Sequence, residues 1–490
     1  MKKRILSIVL CLVMVFSLLP FTASAAGATP IDEKNFPDPV FREYVRKVAG
    51  STYLNDTIVR QIEALDVSKD NIKKVLGDRD PITSLKGIRY LKYVRDLNCR
   101  YQKLTTLDLE LNMRVERLDC YGNQLTDLWL RPTGTSLKYL DCGVNKLTAL
   151  DLSANKKLQK IVAASNKLTT LDVRNLPELT YLDLQANFDL RSIDVSKNPK
   201  LEILNVAQTG LTSLNVKNNR KLVDLKVYCN QLTALDVRSN YLLKELACFE
   251  NQLTALDLSN NISLEYLGVS ENPITELDLH PLSSLQTLYC QKMQLKKLDV
   301  DRCPELQLLH CYDNQIETLD LRSNKKLETL QCQNNRLSWL DLSSNTALDP
   351  TKVDCSGNVY DIKVDRNLQY KVYPDLPCYG ATEGTYFTAA RASDWTGGTV
   401  SKVDGWDVLT LDNRDVKEVT YKYDTGNAKI GKVAFTLKTE VPAKYITISF
   451  DPNGGTGTMK PMRVKAGVGY TLPECTFTPP EGKEFAGWLA

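Results

Sequence analysis

The segment LKELACFENQLTALDLSNN, from Leu243 to Asn261, contains the pattern that decides the fold. It reads L-x-x-L-x-C-x-x-N-x-L-x-x-L-D-L-S-x-N, and closely similar segments return along the chain every 21 residues. Because Leu246 and Cys248 are separated by one residue, an extended backbone places both on one side and the residue between them on the other. One such segment cannot bury its own apolar face, so the repeat predicts coils that stack on one another.

The repeat covers more than half of the chain. Successive repeats start 21 residues apart, except for two intervals of 22, which gives twelve full repeats and a partial thirteenth. This regularity predicts a mainly β solenoid over residues 94–358. The first apolar residues of the repeats are Val94, Val115, Leu137, Leu158, Leu179, Leu201, Leu222, Leu243, Leu264, Leu285, Leu306, Leu327 and Leu348.

An asparagine follows the first extended segment of most repeats. There the chain turns and leaves backbone groups unpaired, and a short amide both donates and accepts hydrogen bonds, so we expect these side chains to satisfy the backbone from coil to coil. The asparagines are Asn123, Asn145, Asn166, Asn230, Asn251, Asn272, Asn314 and Asn335.

An aspartate recurs in the second apolar segment. We expect each carboxylate to be satisfied by backbone donors and by nearby hydroxyls or bases, because stacked carboxylates repel one another. A calcium-binding ladder is the alternative, although the repeat lacks the ligand spacing of a known calcium loop. The aspartates are Asp108, Asp151, Asp172, Asp194, Asp236, Asp257, Asp278, Asp299, Asp320 and Asp341.

The repeat resembles that of bacterial leucine-rich-repeat surface proteins, and most closely the internalin-like class with a 21-residue L-x-x-L-x-C-x-x-N-x-L-x-x-L-D-L-x-x-N unit. The resemblance covers residues 94 to about 358. It implies a curved leucine-rich-repeat solenoid with a parallel sheet along its concave face, which would be a long platform for a partner.

Outward positions of the first extended segment vary between repeats and are rich in aromatic residues. Tyrosine offers rigid area and a hydroxyl at low entropic cost, so these positions favour recognition of a partner. The alternative is that the rings only cover the strands and stack on each other. The candidate partner-binding residues are Tyr121, Tyr139, Tyr181, Tyr228, Phe249, Tyr266, Tyr289, His310 and Tyr312.

Thirteen cysteines would suggest disulfides if the protein is exported. Eight of them, however, occupy an inward position that other repeats fill with leucine or valine, which predicts buried free thiols. Parallel side chains in register also suit the dihedral angle of a disulfide poorly. These eight are Cys99, Cys120, Cys142, Cys248, Cys290, Cys311, Cys332 and Cys355. Four others lie outside this position and are left unpaired by the sequence: Cys229, Cys303, Cys378 and Cys475. The thirteenth, Cys11, lies in the N-terminal apolar run.

Composition disfavours nucleic-acid binding and most enzymes. The formal net charge is +3, and loss of the basic residues 2–4 with a leader would leave the chain near neutral, whereas nucleic-acid binding needs a basic surface. The chain has only two histidines, His280 and His310, which disfavours His-ligated metals and His-based triads. We therefore expect no cofactor, no metal site and no nucleic-acid partner.

The first 25 residues have the features of a secretory signal peptide. Lys2-Lys3-Arg4 precedes an apolar run, and Ala23-Ser24-Ala25 follows as a small-residue cleavage site. A membrane anchor is the alternative, but the run is short for a span of about 20 residues. We therefore expect a secreted or extracellular protein without a membrane span in its mature form, and attachment to the cell surface stays open.

Residues 26–93 are expected to form a small helical cap. Apolar residues at helical spacing run from Val40 to Val48. The segment resembles the N-terminal cap of internalin-like and clostridial surface repeat proteins. Relatives often carry an Asp-rich loop after this helix, but residues 50–56 lack its ligand pattern, so we expect no calcium there.

The C-terminal part is expected to form β modules. Alternating runs in residues 359–445 predict a β-rich cap or an immunoglobulin-like module. Residues 446–490 resemble the internalin B-repeat of the Listeria–Bacteroides type through IxIxFD (446–451), YxLP (470–473) and FAGW (485–488). This implies a β-grasp-like extracellular module, which we expect to be truncated because the sequence stops before its last strands.

Three functions are consistent with these features to different degrees. The first is a secreted or cell-surface binding or adhesion protein that recognises a protein or glycan on a host, another microbe or its own envelope. The alternative is a structural spacer that presents other extracellular modules and has no ligand of its own. An enzyme is disfavoured because the sequence contains no nucleophile–base arrangement, phosphate loop or metal cluster.

Overall fold

The computed structural model describes residues 27–379 and 386–488. The predicted leader, residues 1–25, lies outside the described residues, and so does the end of the predicted B-repeat at residues 489–490. The chain divides into two compact units, residues 1–178 and 179–490. Each unit is described by itself below.

The first unit begins with three short helices. They are α1 (Pro39–Ala49), α2 (Asp56–Gln61) and α3 (Lys69–Leu76), and they alternate with strands β1 (Thr29–Pro30), β2 (Tyr53–Leu54) and β3 (Ala64–Asp66). Asp38 caps α1 by accepting the N–H groups of Val40 and Phe41, and Gly50 ends the helix in a left-handed conformation. The buried face of α1 includes Val40, Phe41, Tyr44 and Val45, so the predicted helix is confirmed.

Five parallel strands follow one another in chain order in the first unit. After β3 these are β4 (Asp96–Asn98), β5 (Arg117–Asp119), β6 (Tyr139–Asp141) and β7 (Lys160–Val162), with single 3-10 turns at Ile88–Tyr90 and Arg131–Thr133. Leu97 of β4 lies opposite Leu65 of β3 and Leu118 of β5, so equivalent residues of successive coils face each other. The sheet thus begins one coil before the regular repeat.

Nine further parallel strands run in chain order in the second unit. They are β8 (Tyr181–Asp183), β9 (Ile203–Asn205), β10 (Asp224–Lys226), β11 (Glu245–Ala247), β12 (Tyr266–Gly268), β13 (Thr287–Tyr289), β14 (Leu308–His310), β15 (Thr329–Gln331) and β16 (Val353–Asp354), with a 3-10 turn at Pro350–Lys352 before the last. Leu225, Leu246 and Leu267 lie opposite one another, which keeps the 21-residue register. The predicted mainly β solenoid is confirmed.

The inward positions form the core of the coil stack. Val227, Cys248 and Val269 occupy equivalent positions in three successive coils, and each is fully buried. Burial raises the pKa of the Cys248 thiol to about 12. All twelve cysteines among the described residues are free thiols, which confirms the prediction for the eight in the inward column.

Each recurrent asparagine bridges neighbouring coils. Asn251 Nδ2 donates to the carbonyl oxygens of Val227 at 3.0 Å and Cys248 at 3.1 Å, and its Oδ1 accepts the N–H of Leu232 at 3.0 Å. The predicted role in satisfying the backbone is therefore confirmed.

A second asparagine column, at the end of most repeats, has a similar role. Asn261 Nδ2 donates to the carbonyl oxygens of Val237 at 3.1 Å and Asn240 at 3.0 Å. Asn240 in turn donates to Val216 and Asn219 in the coil before it. Buried carbonyl groups of the turn are thus paired along the stack.

The aspartates of the second segment satisfy their own turns. Asp236 Oδ1 accepts the N–H of Arg238 at 3.1 Å, and the Arg238 guanidinium also binds both carboxylate oxygens. In the next coil Asp257 accepts the N–H of Ser259 at 3.0 Å. The side-chain bond from Arg238 lowers the pKa of Asp236 to about 2. The expectation that these carboxylates are locally satisfied is confirmed.

One residue per coil has a left-handed backbone, directly before the first asparagine position. Val144 has φ 52° and Gly122, its equivalent one coil earlier, has φ 69°. An L-residue in this conformation is strained by about 1–2 kcal/mol. The non-glycine residues at this position are Tyr101, Val144, Ser165, Ala186, Gln208, Cys229, Glu250, Glu271, Lys292, Asp313 and Asn334.

Residues after the coils form β sheets. The elements are β17 (Val359–Lys363), β18 (Gln369–Lys371), a helical turn α4 (Val372–Asp375), a 3-10 turn (Ala389–Arg391), β19 (Ala392–Thr396), β20 (Gly398–Val403), β21 (Trp406–Leu411), β22 (Glu418–Asp424) and β23 (Lys432–Glu440). One sheet has the order β17-β23-β22-β19 and the other β18-β21-β20. A separate antiparallel hairpin pairs β24 (Tyr445–Ile448) with β25 (Met462–Lys465).

These sheets contact the last coils of the solenoid. Asn427 Nδ2 donates to the carbonyl oxygen of Asn345, and the N–H of Leu342 donates to Thr425 O at 2.8 Å. Trp339, which is 4% exposed, donates its indole N–H to Pro377 O at 2.7 Å. Residues 359–440 therefore cover part of the coil stack within the second unit. Assignment of residues 446–490 to a B-repeat stays a prediction.

Candidate functional site: the sheet face

Three positions of each coil point outward from the parallel strands. In the coil of β11, Leu246 and Cys248 are fully buried, whereas Glu245 is exposed and Phe249 is half-buried. The period of two therefore directs residues 245, 247 and 249 away from the core. We call the equivalent positions of all coils the sheet face.

All nine candidate partner-binding residues lie on the sheet face, and each is half-buried. The first unit contributes Tyr121 and Tyr139, and the second unit contributes Tyr181, Tyr228, Phe249, Tyr266, Tyr289, His310 and Tyr312. None of them belongs to the buried core. Their role in binding stays a prediction.

Six of these residues form two sets of ring contacts in the second unit, one of two rings and one of four. Tyr228 stacks on Phe249 with centroids 4.5 Å apart and an interplanar angle of 8°. Tyr289 makes an edge contact with His310 at 4.9 Å. Tyr266 lies 5.8 Å from Tyr289, and Tyr312 lies 6.2 Å from His310. We call Tyr228, Phe249, Tyr266, Tyr289, His310 and Tyr312 the aromatic band. It crosses five coils, or about 19 Å at the spacing of β-strands.

Small residues lie beneath the middle of the aromatic band. Ala247, Gly268 and Ser270 are buried on the sheet face. A Cβ at position 268 would lie 3.2 Å from the Tyr266 hydroxyl and 3.4 Å from the Phe249 ring. Because glycine has no Cβ, the Tyr266 ring can lie across the strand at this position. The rings therefore lie close to the strands instead of projecting from them.

The imidazole of His310 is uncharged near neutral pH. Half-burial among Tyr289, Tyr312 and the strand backbone lowers its pKa below the ordinary value of 6.5. Burial likewise raises the pKa of Tyr228 and Tyr266. The aromatic band is therefore a neutral surface at pH 7.

Polar acceptors border the aromatic band. Asp224 Oδ1, Gln291 Oε1 and Gln333 Oε1 are buried and have no hydrogen-bond partner among the described residues. The other carboxylate oxygen of Asp224 binds Lys226 Nζ at 2.6 Å. All of these residues lie on the sheet face.

The sheet face of the first unit differs in that arginines of the chain cover its rings. Arg100 lies 4.6 Å from the Tyr121 ring centroid and donates to Asp119 at 3.0 Å. Arg117 lies 3.6 Å from the Tyr139 ring centroid. Tyr121 and Tyr139 are thus part of an intramolecular cation–π and ion-pair cluster.

The sequence-based site omitted several residues that the structure places there. Arg100 has the same offset in its coil as Tyr121 in the next, so the repeat register would have located it. The acceptors at 224, 291 and 333 occupy outward positions by the same rule. Their lack of partners, however, depends on three-dimensional contacts that the repeat does not specify.

A group of possible cation ligands lies away from the sheet face. His280, Asp299 and Asp301 carry ligand atoms within 4.8 Å of one another, and all three are exposed. His280 Nδ1 lies 2.8 Å from Asp278 Oδ1, and this hydrogen bond raises the pKa of His280. His280 Nε2 also lies 3.5 Å from Asp299 Oδ2, so the imidazole lies between aspartates of successive coils.

Among the described residues, no helix is both long enough and apolar enough to cross a membrane.

Comparison with solved structures supports the fold. The functional domain of InlJ from Listeria monocytogenes, whose structure is described as including a cysteine ladder, is 28% identical, with a TM-score of 0.61 over 85% of this chain and 99% of that one. The internalin InlF from L. monocytogenes is 21% identical, with a TM-score of 0.59 over 68% of this chain and 98% of that one.

A third neighbour is the leucine-rich-repeat protein LIC12759 from Leptospira interrogans. It is 23% identical, with a TM-score of 0.53 over 64% of this chain and 86% of that one. No protein-family model and no curated protein matches the sequence. The chain therefore has the leucine-rich-repeat fold, and its structure is similar to those of internalins.

Proposed function

We propose that the protein is a secreted or cell-surface binding protein that recognises a protein or glycan partner through its sheet face. The observation that carries the proposal is the aromatic band. Six half-buried rings lie across five coils in two sets of ring contacts, Tyr228 with Phe249 and Tyr266 to Tyr312, while the inward positions of the same coils keep a constant pattern.

The physical chemistry of the aromatic band suits recognition. Tyrosine and phenylalanine combine a large contact area with few rotatable bonds, so binding orders them at low entropic cost. The contacts between neighbouring rings restrict them further, and restriction before binding lowers the cost of association. Interfaces are enriched in such side chains at their centres.

The proposed location follows from the predicted leader at residues 1–25. Similarity to InlJ and InlF supports a binding role because those chains share the same coil architecture. We also propose that the protein acts by binding rather than by catalysis. The structural spacer remains the alternative, and it predicts that no ligand depends on the sheet face.

A panel binding experiment tests the proposal. Biolayer interferometry would compare the purified chain with the Tyr228→Ala/Phe249→Ala double variant against immobilised surface proteins, mucins and microbial glycans. Tyr241→Ala is the matched control, because Tyr241 is 50% exposed and lies outside the sheet face. We expect at least one panel member to bind the parent and the control about tenfold more tightly than the double variant.

The variants must keep their fold for this comparison to count. Circular dichroism and melting temperature would verify the fold of each variant, since neither Tyr228 nor Phe249 belongs to the buried core. Panel binding that the double variant retains in full would contradict the proposal and favour the structural spacer.

A further inference from the structure

Both units place aromatic rings beside polar acceptors on their sheet faces. They differ in whether an arginine of the chain covers the rings. In the first unit, Arg100 lies over Tyr121 and donates to the carboxylate of Asp119, and Arg117 lies over Tyr139. In the second unit, rings and acceptors are again side by side. Among the described residues, however, no arginine or lysine is centred over a ring of the aromatic band.

The acceptors beside the aromatic band need donors. Asp224 Oδ1, Gln291 Oε1 and Gln333 Oε1 are shielded from solvent and unpaired within the described protein. A buried acceptor without a donor is unfavourable, so a partner that supplies N–H groups there gains more than one that supplies further acceptors. A ligand rich in carboxylate or phosphate is therefore disfavoured.

The charge around the aromatic band also favours a cation. The sheet face and the adjoining left-handed turns of the second unit carry seven carboxylates and three lysines. Lys226 is paired with Asp224 and Glu245, and Lys292 with Glu271. The third lysine, Lys352, pairs with Asp349. The seven carboxylates are Asp183, Asp224, Glu245, Glu250, Glu271, Asp313 and Asp354.

In the second unit, the residues that directly follow the first inward leucine of each coil, at the edge of the sheet, are also mainly acidic where they are charged. Glu202, Glu265 and Glu328 lie there with a single lysine, Lys244, which pairs with Glu265 at 2.7 Å. The neutral rings are thus bordered by negative charge on both sides. This arrangement attracts cationic partners and repels anionic ones.

We propose that the aromatic band binds an arginine-bearing segment of a partner protein, an inference that rests on the proposed function. Guanidinium groups stack on the exposed rings, and the half-buried side chains of Asp224, Gln291 and Gln333 turn toward the surface to accept their N–H groups. A guanidinium is planar, carries five N–H donors and stacks on aromatic faces, which one ammonium group does not match. Arg100 and Arg117 show the same mode within the chain.

The spacing of the acceptors sets the length of the segment. The coils of Asp224 and Gln333 are five spacings apart, or about 24 Å, and an extended peptide covers this distance with about seven residues. A nonapeptide with three arginines separated by glycine and serine is therefore long enough to contact both ends of the site.

Fluorescence anisotropy with labelled peptides tests the proposal on the full purified chain. The probes are the arginine nonapeptide and three matched peptides in which citrulline, lysine or glutamate replaces arginine. Citrulline keeps a planar group with three of the five N–H donors and removes the charge. We expect the arginine peptide to bind about tenfold or more tightly than the citrulline peptide, and the lysine peptide to bind with intermediate affinity. The glutamate peptide should not bind.

Variants identify the site. Tyr228→Ala/Phe249→Ala should weaken arginine-peptide binding about tenfold or more, and Asp224→Asn should weaken it less and reduce its salt dependence. Tyr241→Ala should leave it unchanged. Equal binding of the arginine and citrulline peptides, or arginine-peptide binding that the double variant retains, would overturn the inference.

The outcome also separates this inference from the proposed function. A neutral oligosaccharide or acidic protein that binds the parent but not the double variant, combined with no binding of the arginine peptide, would overturn the partner chemistry and leave the sheet face as the binding surface. Binding that never depends on Tyr228 and Phe249 would overturn both.

Discussion

Asn427 Nδ2 lies 2.9 Å from the main-chain oxygen of Asn345, a residue 82 positions earlier in the chain. It also donates to Leu342 O at 3.3 Å. Asn345 makes the equivalent pair of bonds to Leu321 and Asn324 in the preceding coil. A residue of the C-terminal sheets therefore continues the second asparagine column beyond the last repeat that contains it.

We expect Asn427→Ala to lower the free energy of unfolding by about 1–3 kcal/mol, because two buried carbonyl oxygens lose their donor. Chemical denaturation followed by circular dichroism measures this loss. Asn260→Ala is the control, since Asn260 makes one exposed hydrogen bond to Arg238 O and its loss should cost about 0.5 kcal/mol or less. Equal effects of the two substitutions would show that Asn427 does not act as a cap.

The inward cysteines are expected to tolerate apolar replacement and to resist polar replacement. Cys248→Val should change the free energy of unfolding by less than about 1.5 kcal/mol, because Val227 and Val269 already fill this position on either side. Cys248→Ser should cost about 1–3 kcal/mol, since it buries an extra hydroxyl. Denaturant titration of both variants decides the point, and greater stability of the serine variant would contradict it.

The left-handed turn offers a site for stabilisation. Val144→Gly should raise the free energy of unfolding by about 0.5–1 kcal/mol, because relief of strain exceeds the entropic cost of glycine. Gly122→Ala should have the opposite effect, since φ is 69° there and the added Cβ would lie 2.7 Å from the Tyr101 ring. Thermal melting compares the two, and a lower melting temperature for Val144→Gly would argue against strain at this turn.

Binding of the arginine nonapeptide should weaken as the pH falls from 7.5 to 5.5. Burial lowers the pKa of His310, so the ring gains its proton below the ordinary value of 6.5, and the new positive charge repels the peptide. Two unit charges about 16 Å apart repel by about 1 kcal/mol at an effective dielectric constant near 20, so full protonation of His310 should weaken binding by about fivefold.

His310→Gln is the control for this pH dependence. Anisotropy titrations of the variant should give the same affinity at both pH values. The free energy of unfolding should also decrease as the pH falls. A base whose pKa is lower in the folded state loses stability as the pH falls below its unfolded pKa. If the affinity of the variant falls between pH 7.5 and 5.5 as much as that of the parent, the pH dependence belongs to another titrating group.

The repeat made most of the coil architecture predictable. The spacing of Leu246 and Cys248 defined both the inward column and the outward positions, because a period of two is a local property of extended chain. Asn251 was assigned to the backbone for a similar reason, since a turn at a fixed place leaves the same groups unpaired in every coil.

Other features depend on contacts between distant residues. The match between Asn427 and Asn345 has no local signature, because the two residues meet only after the C-terminal sheets have packed on the coils. The same is true of Arg100 over Tyr121, where the distance between coils and the side-chain conformation decide the contact. Repeat register located these residues on a face but did not show which side chains were already engaged.

The buried thiols have a consequence for following the solenoid in solution. A reagent reaches Cys248 only when neighbouring coils separate, whereas Cys378 is exposed throughout. The rate of alkylation at each buried cysteine therefore measures how often that coil opens. With thiols in coils of both units, mass spectrometry of partly alkylated chains would give a coil-by-coil map of fraying without any introduced label.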